Sequence, residues 1–277
     1  MNKKFYSILA IVFIAFLVMG TVSAGFFDFL GGGNNSVKGA NDDKTLIVGF
    51  DADFPPYGFS VGRGEYDGFD LELAQEVCNR NNWTLVKQPI KWDAKDSELN
   101  SGAIDCIWNG FTINGRENNY TWSDPYIDNK HVFVVKADSN INSLSDLKGK
   151  NVEVQKGSSI VSAFKGDNKT LADSFGKIVE VADYNTAIMD LRFGSCDAVA
   201  LDIGVAQYHV NNGNNTGLKI LNDTISSEQY GIGFKLGNTQ LKDQVQKTLD
   251  EMYADGTVSK IAEKYSSYGI PGSLIKK

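Results

Sequence analysis

The chain has 277 residues, of which 42% are hydrophobic and 22% charged, and a formal charge of −7 at pH 7. That is enough apolar material for one large domain or two smaller ones, and so acidic a chain offers no electrostatic grounds for binding nucleic acid. The three cysteines, Cys78, Cys106 and Cys196, sit in apolar settings and are too few for a disulfide scaffold; they read as buried thiols, with a Cys78–Cys106 bridge as the alternative.

Lys3 and Lys4, an apolar run from Ile8 to Met19 and the small residues Gly20 to Ala24 make residues 1–24 a secretory signal with cleavage after Ala24. The protein is expected to be secreted or held at the cell surface, outside the cytoplasmic membrane. An uncleaved N-terminal anchor is the alternative, because Phe5 to Val22 approaches the roughly 20 residues that span a bilayer. Without the two signal lysines the formal charge of −7 becomes about −9. Residues 25–44, with Gly31 to Gly33 followed by Asn34 and Asn35, read as a flexible linker. Glycosylation sequons include those that begin at Asn34, Asn82, Asn119, Asn214 and Asn222.

Leu46 to Gly49 suits a first strand, which runs into the stiff turn Asp51, Asp53, Phe54, Pro55, Pro56 and Tyr57. Leu71, Leu73, Ala74, Val77 and Cys78 mark a helix with Asp70 as its expected N-cap. A second strand from Leu85 ends near Pro89, with Trp92 expected half-exposed on the surface; a short helix over Asp96 to Asn100 follows, then a strand from Ile104 into Trp108. This alternation belongs to a parallel sheet with crossover helices. His131 to Lys136 is a further strand, after which the rhythm restarts: strand Val152 to Gln155, a helix from Ile160, strand Ile178 to Val181, helix Asn185 to Phe193, and a strand from Cys196 that ends at Asp202. Tyr230 to Phe234 is one more strand, and Leu241 to Ala254 and Val258 to Tyr265 are helices whose apolar faces should pack. The chain therefore reads as α/β with two lobes, residues 45–133 with 229–277 and residues 134–228, joined by paired strands that can hinge. Ligand would sit between them.

Polar groups collect where strands end, which is where open α/β sheets bind ligands. Asn109, Gly110, Thr112 and Arg116 follow one strand, Gln155 and the turn Gly157-Ser158-Ser159 another, Asp51 with Phe54 the first, and Asp202 stands alone after Leu201. An arginine fork suits a carboxylate, and the free N–H groups of a turn leading into a helix favour an anion. With an acid opposite, the set can hold a zwitterion: carboxylate to Arg116 and the Ser159 amide, ammonium to Asp202. Phe54 and Trp92 could clamp a side chain between rings, whereas Trp108 reads as core. His131 and His209 have no second histidine or cysteine at ligand spacing, so neither a metal nor a cofactor is expected.

Several ordered motifs add a resemblance. Gly68-Phe69-Asp70-Leu71-Glu72-Leu73-Ala74, Gly110-Phe111-Thr112-Ile113 with Arg116, Trp122-Ser123-Asp124-Pro125-Tyr126, Leu147-Lys148-Gly149, Gln155-Lys156-Gly157-Ser158-Ser159, Cys196-Asp197-Ala198 and Glu228-Gln229-Tyr230-Gly231-Ile232-Gly233 together resemble the extracellular solute-binding proteins, family 3, of polar amino-acid ABC transporters, over residues 45 to 268. The resemblance implies a type II periplasmic-binding-protein-like fold, each lobe a sheet flanked by helices, that closes on a free amino acid and docks on a membrane permease as a monomer. It implies that Arg116 and the Ser159 amide hold the α-carboxylate, that Asp202, Thr112 and the Gly110 carbonyl hold the α-ammonium, and that Phe54, Trp92 and Asp51 face the side chain. The family usually has one more residue between the threonine and the arginine, so the assignment requires the turn to tighten around Gly115. Asn109, bulkier than the small residue often found there, is expected to touch the ligand.

The expected function is therefore capture and delivery of a polar or cationic amino acid without chemistry, with lysine, arginine, histidine and glutamine all admissible. The alternatives are a dehydratase on the same scaffold, with Glu153 or Asp51 as its acid or base, and a ligand sensor for a separate receptor.

Overall fold

The computed structural model describes residues 45–212 and 217–276. The signal, the linker and the sequons at Asn34 and Asn214 lie outside the described residues. Eight strands form the backbone of one sheet: β1 (Thr45–Phe50), β2 (Thr84–Pro89), β3 (Cys106–Thr112), β4 (Ile127–Lys136), β5 (Asn151–Gln155), β6 (Lys177–Val181), β7 (Ala198–Asp202) and β8 (Ser226–Phe234). Their order is β6-β5-β7-β4-β8-β3-β1-β2, and two short strands, Leu218–Ile220 on β4 and Thr121–Trp122 on β8, bring the sheet to ten.

β1 runs parallel to β2 and β3 at one end, and β5 parallel to β6 and β7 at the other. The inner strands β3 and β7 are buried along their whole length, as parallel strands covered on both faces require, whereas β2 and β6 at the two edges are partly exposed. The two antiparallel strands in the middle divide their pairing. Ile127 to His131 of β4 pairs with β8, and His131 to Val135 pairs with β7. In the same way Ser226 to Tyr230 of β8 pairs with β4, after which Gly231 to Phe234 pairs with β3. Each strand thus starts in one half of the molecule and ends in the other. The fold is two-lobed, and these strands are its two connections at the centre of the sheet.

Helix Phe69–Asn81 covers the first lobe through Phe69, Leu71, Leu73, Ala74, Val77 and Cys78. Its cap is Gly68, at φ +138°, where a Cβ would stand 2.3 Å from the Tyr57 carbonyl oxygen, so no larger residue fits. Asp70 is consequently not the N-cap: it lies inside the first turn, fully buried, and its carboxylate turns to β3 instead. In the second lobe Asp183 caps helix Tyr184–Phe193 by accepting the Thr186 N–H at 2.7 Å. The long helix Thr239–Ala254 buries Leu241, Val245, Leu249 and Met252. Trp92 is buried rather than half-exposed, because it begins a 3-10 turn that lays its ring edge-on against Phe111, with centroids 5.5 Å apart. Trp108 is core, and the three cysteines are buried free thiols. Among the described residues no helix is long and apolar enough to cross a membrane.

Candidate functional site

The parallel strands of both lobes end towards one cleft, and its first wall is β3 with the turn that follows. Asn109 is buried; its Oδ1 accepts the Asp51 N–H at 3.0 Å and its Nδ2 lies against Gly58, so this side chain braces the backbone behind the cleft. Gly110 adopts φ +55°, and a Cβ there would come within 2.6 Å of the Phe54 ring and 3.1 Å of the Tyr230 ring. Its N–H donates to Asp70 Oδ2 at 2.6 Å. Burial pushes the Asp70 carboxyl up to about 7, against that hydrogen bond. The Thr112 hydroxyl donates to Glu228 Oε1 at 3.0 Å and stands 3.2 Å from Ser159 Oγ across the cleft.

The shortened turn after Thr112 does tighten around Gly115, at φ +78°, and closes with the Arg116 N–H on the Ile113 carbonyl at 2.8 Å. Its guanidinium stays in the cleft. It donates to the Thr112 carbonyl and, in the other lobe, to the Gly157 carbonyl, both at 3.3 Å, and lies over the Phe111 ring. Burial lowers the Arg116 pKa, while the charges of Glu228 and Asp202 work to hold its proton.

From the second lobe, Gln155 Nε2 donates to Asp51 Oδ2 at 2.5 Å and to the Ala182 carbonyl at 3.2 Å. Asp51 also accepts the Asp53 N–H, yet burial dominates and pushes its carboxyl up to about 6. Further contacts join the lobes at this end: Asn185 Nδ2 to Asp53 Oδ1 at 2.5 Å, Lys95 Nζ to the Gly157 carbonyl at 3.2 Å, and an exposed ion pair, Lys156 to Asp93, at 2.8 Å. Lys95 is buried, lies over the Trp92 ring, and has its pKa pushed down to about 8 by desolvation. Phe54 packs against Tyr57 and Tyr184, so Phe54 and Trp92 belong to separate aromatic groups.

At the opposite end Asp202, expected from its place after Leu201, meets side chains that local spacing does not announce. Asp202 Oδ1 accepts from Tyr230 Oη at 2.5 Å and from Asn129 Nδ2 at 2.7 Å; the same Asn129 nitrogen donates to Glu228 Oε1 at 2.9 Å. His131 Nε2 is 3.0 Å from Glu228 Oε1, 3.5 Å from Asp202 Oδ1 and 3.1 Å from Ser159 Oγ, with its Nδ1 2.7 Å from Ser226 Oγ. Burial alone would keep His131 neutral, but the charges and hydrogen bonds of Glu228 and Asp202 outweigh it and hold the imidazole proton well above the usual histidine range. Burial likewise disfavours ionised Asp202, and hydrogen bonds and charge from His131 overcome it, so the carboxyl titrates below its ordinary value. Alternation is the signal for Asn129 and His131, and for Glu228 beside its place in the Glu228–Gly233 motif: they are buried polar residues on strands whose neighbours Asp128, Lys130, Ser227 and Gln229 face outward. Those outward residues line a separate cavity of about 740 Å³ that shares only Asn129 and Glu228 with the cleft.

His131, Asp202 and Glu228 have one ligand atom each within 4.8 Å of the others, a spacing that could admit a metal ion. The donor chemistry speaks for a protonated imidazole instead. His131 Nε2 already stands at hydrogen-bonding distance from Glu228 Oε1, 3.0 Å, and each facing oxygen also accepts from hydroxyl or amide groups. Glu153, the other acid of interest, is on β5 beside Asp190 and Cys196, away from this group.

Comparison with known proteins agrees with this architecture. The model of the bacterial extracellular solute-binding proteins, family 3, matches residues 46–268. The L-cystine-binding protein TcyJ of Escherichia coli (strain K12) is 31% identical over 237 residues, covering 83% of this chain and 85% of that protein. The arginine-binding extracellular protein ArtP of Bacillus subtilis (strain 168) is 30% identical over 238 residues, 84% of this chain and 90% of that one. Among solved structures, an ABC uptake transporter substrate-binding protein from Streptococcus pneumoniae with bound histidine superposes with a TM-score of 0.77 at 30% identity, over 80% of this chain and 92% of that one. The ancestral amino-acid-binding protein AncCDT-1, a precursor of cyclohexadienyl dehydratase, gives 0.73 at 29% identity, over 82% and 97%.

Proposed function

The chain belongs to the bacterial extracellular solute-binding proteins, family 3, and from that premise we propose that it captures a free polar or cationic L-amino acid outside the cytoplasmic membrane and hands it, unchanged, to an ABC-transporter permease. The observation that carries this reading is the separation of charge across the cleft. Arg116 stands on the first lobe beside the Gly157 turn, and Asp202 stands at the end of β7 on the second. A zwitterion laid between them satisfies both charges, and drawing the lobes together excludes water and strengthens each contact. In this reading Arg116 and the Ser159 amide take the carboxylate; Asp202, Thr112 and the Gly110 carbonyl take the ammonium; residues 45–133 with 229–277 and residues 134–228 move as the two lobes of a monomer.

Asp51 sets the side-chain preference. It is a buried acid whose cross-lobe partner, Gln155, is a neutral amide, and a cationic side chain reaching it would stabilise the ionised form. The relatives named for arginine and the neighbour holding histidine favour the same class. Asn109, spent on bracing the Asp51 backbone, shapes the pocket from behind. Calorimetry of ligand-stripped protein against the twenty amino acids tests the reading: micromolar or tighter binding of a cationic or polar member is expected, and no heat with any of them would sink it.

The dehydratase alternative finds its support in the AncCDT-1 likeness and in Asp51, whose raised pKa suits acid–base work. Glu153 lies away from the cleft, so Asp51 carries this alternative. Turnover of a prephenate-type acid would bring this alternative forward.

A further inference from the structure

One ammonium needs one carboxylate, yet this end of the cleft holds two. Asp202 and Glu228 converge on the same Asn129 nitrogen at 2.7 and 2.9 Å, and both are buried. Two ionised carboxylates at such separation repel, and left alone one of them takes up a proton. The chain answers with His131, which inserts Nε2 between them and is anchored from behind by Ser226 Oγ.

We propose that His131 is a resident cation of the ammonium subsite: it cancels one of the two carboxylates, leaves a single negative charge for the incoming ammonium, and makes His131 and Glu228 a matched pair that sets affinity. This rests on the zwitterion reading of the cleft. The remaining groups facing the pair fit the same balance. Arg116, from the turn after β3, acts on both carboxylates and is left for the substrate carboxylate. The phenols of Tyr57, Tyr184 and Tyr230 are kept neutral by burial. Ser159 and Thr112 contribute hydroxyls only. The charge of His131 is held by the two acids it serves, since both raise its affinity for the proton. Arg116 and His131 balance Asp202 and Glu228, so this group of four sums to zero before a zwitterion enters and afterwards.

The test is a charge-exchange cycle read by calorimetry at pH 7.5, with L-arginine, L-histidine and L-cystine as probes. Glu228→Gln leaves only Asp202 opposite His131, so the subsite is neutral; the affinity of whichever probe binds should fall about 30-fold. Adding His131→Gln to that variant restores one net negative charge and should return affinity to within about threefold of the parent. Rescue of one buried substitution by a second at its neighbour is not what a merely structural pair would show. A double variant as weak as Glu228→Gln, or weaker, overturns the proposal. Should the double variant not fold, nitrogen NMR of the parent decides: a His131 imidazole protonated at pH 8 with and without probe is expected, and a neutral ring in either state overturns it. Zinc alone, titrated into the parent, should give no binding that competes with the probe; competitive zinc binding lost in His131→Gln would assign the trio to a metal and likewise overturn it. If the parent binds neither L-cystine nor any of the twenty amino acids, the transport reading falls and this proposal with it, whereas binding without rescue removes only the proposal.

Discussion

Around Asp202 and Glu228 the chain supplies its own cation, His131, and hydroxyl and amide donors from Tyr230, Asn129 and Thr112, so both side chains are held in place before any ligand arrives and the Asp202 carboxyl is kept below its ordinary value. Around Asp51 it supplies one neutral amide, Gln155, and the carboxyl titrates near 6. Both acids are buried to the same degree, each 5% exposed, so burial cannot explain why one carboxyl titrates below its ordinary value and the other above it. The difference is the partner. Preorganised charge suits the part of an amino acid that never varies, and an acid short of a cation suits the part that selects.

The most severe way to break this contrast is to remove the invariant grip. Arg116→Ala should weaken every amino-acid ligand alike, by about 1000-fold, because a buried carboxylate is left without its cation; calorimetry across several ligands checks it, and a loss confined to one side-chain class would contradict the assignment. Next comes the ligand-free stability of the soft end. Asp51 binds its proton more tightly in the folded chain, at about 6, than at its ordinary 3.8. The folded state therefore holds the extra proton between those values, and stability falls as pH rises through that window, by up to about 3 kcal/mol. The difference between parent and Asp51→Asn melts from pH 4 to 7 should show the fall; in both, Asp70, raised to about 7, adds to the slope and His209, lowered to about 4, opposes it. If the slope survives Asp51→Asn untouched, Asp51 is not the soft acid described here.

A third test sharpens the side-chain end alone. Asp51→Asn should cost a cationic ligand about 30-fold and a neutral one less than about threefold, and in the parent a cationic ligand should release protons on binding near pH 6. Equal losses for both ligand classes would move selectivity elsewhere. The smallest effect expected is at the rim. Lys156→Ala breaks the exposed pair with Asp93 and should change affinity by no more than about twofold, fading with salt.

What the sequence makes legible follows from periodicity. Short apolar stretches that stop abruptly at Asp51 and Asp202, and the Val152–Val154 alternation that stops at Gln155, identify parallel strands and their carboxyl ends, and the ends of parallel strands point to one face whatever the details. His131 and Glu228 are of another kind. They meet because Ser226 pairs with His131 across two long antiparallel strands, and that register is set by pairing partners far apart in the chain, which no local pattern reports. Trp92 misleads for a related reason: a tryptophan between a lysine and an acid reads as surface, while its burial depends on Phe111, nineteen positions away. At Asp70 the local N-cap signal is overridden by a nearby glycine, Gly68, whose missing side chain lets the Tyr57 carbonyl come close.

The divided pairing of β4 and β8 has a mechanical side. When a beam bends, its pivot is displaced least and its rim most, and His131, Asn129, Ser226 and Glu228 all sit on the two strands that form the pivot, whereas the Arg116–Gly157 and Lys95–Gly157 contacts span the gap beyond it. An opening motion would leave the first group nearly intact and tear the second apart. Ligand would then dock by its ammonium on a finished socket and be latched by its carboxylate as the gap shuts, a two-stage capture in which only the second stage reports that the protein is loaded. A structure with the lobes apart should keep His131 Nε2 within hydrogen-bond reach of Glu228 while Gly157 has left Arg116; the reverse pattern would place the pivot elsewhere.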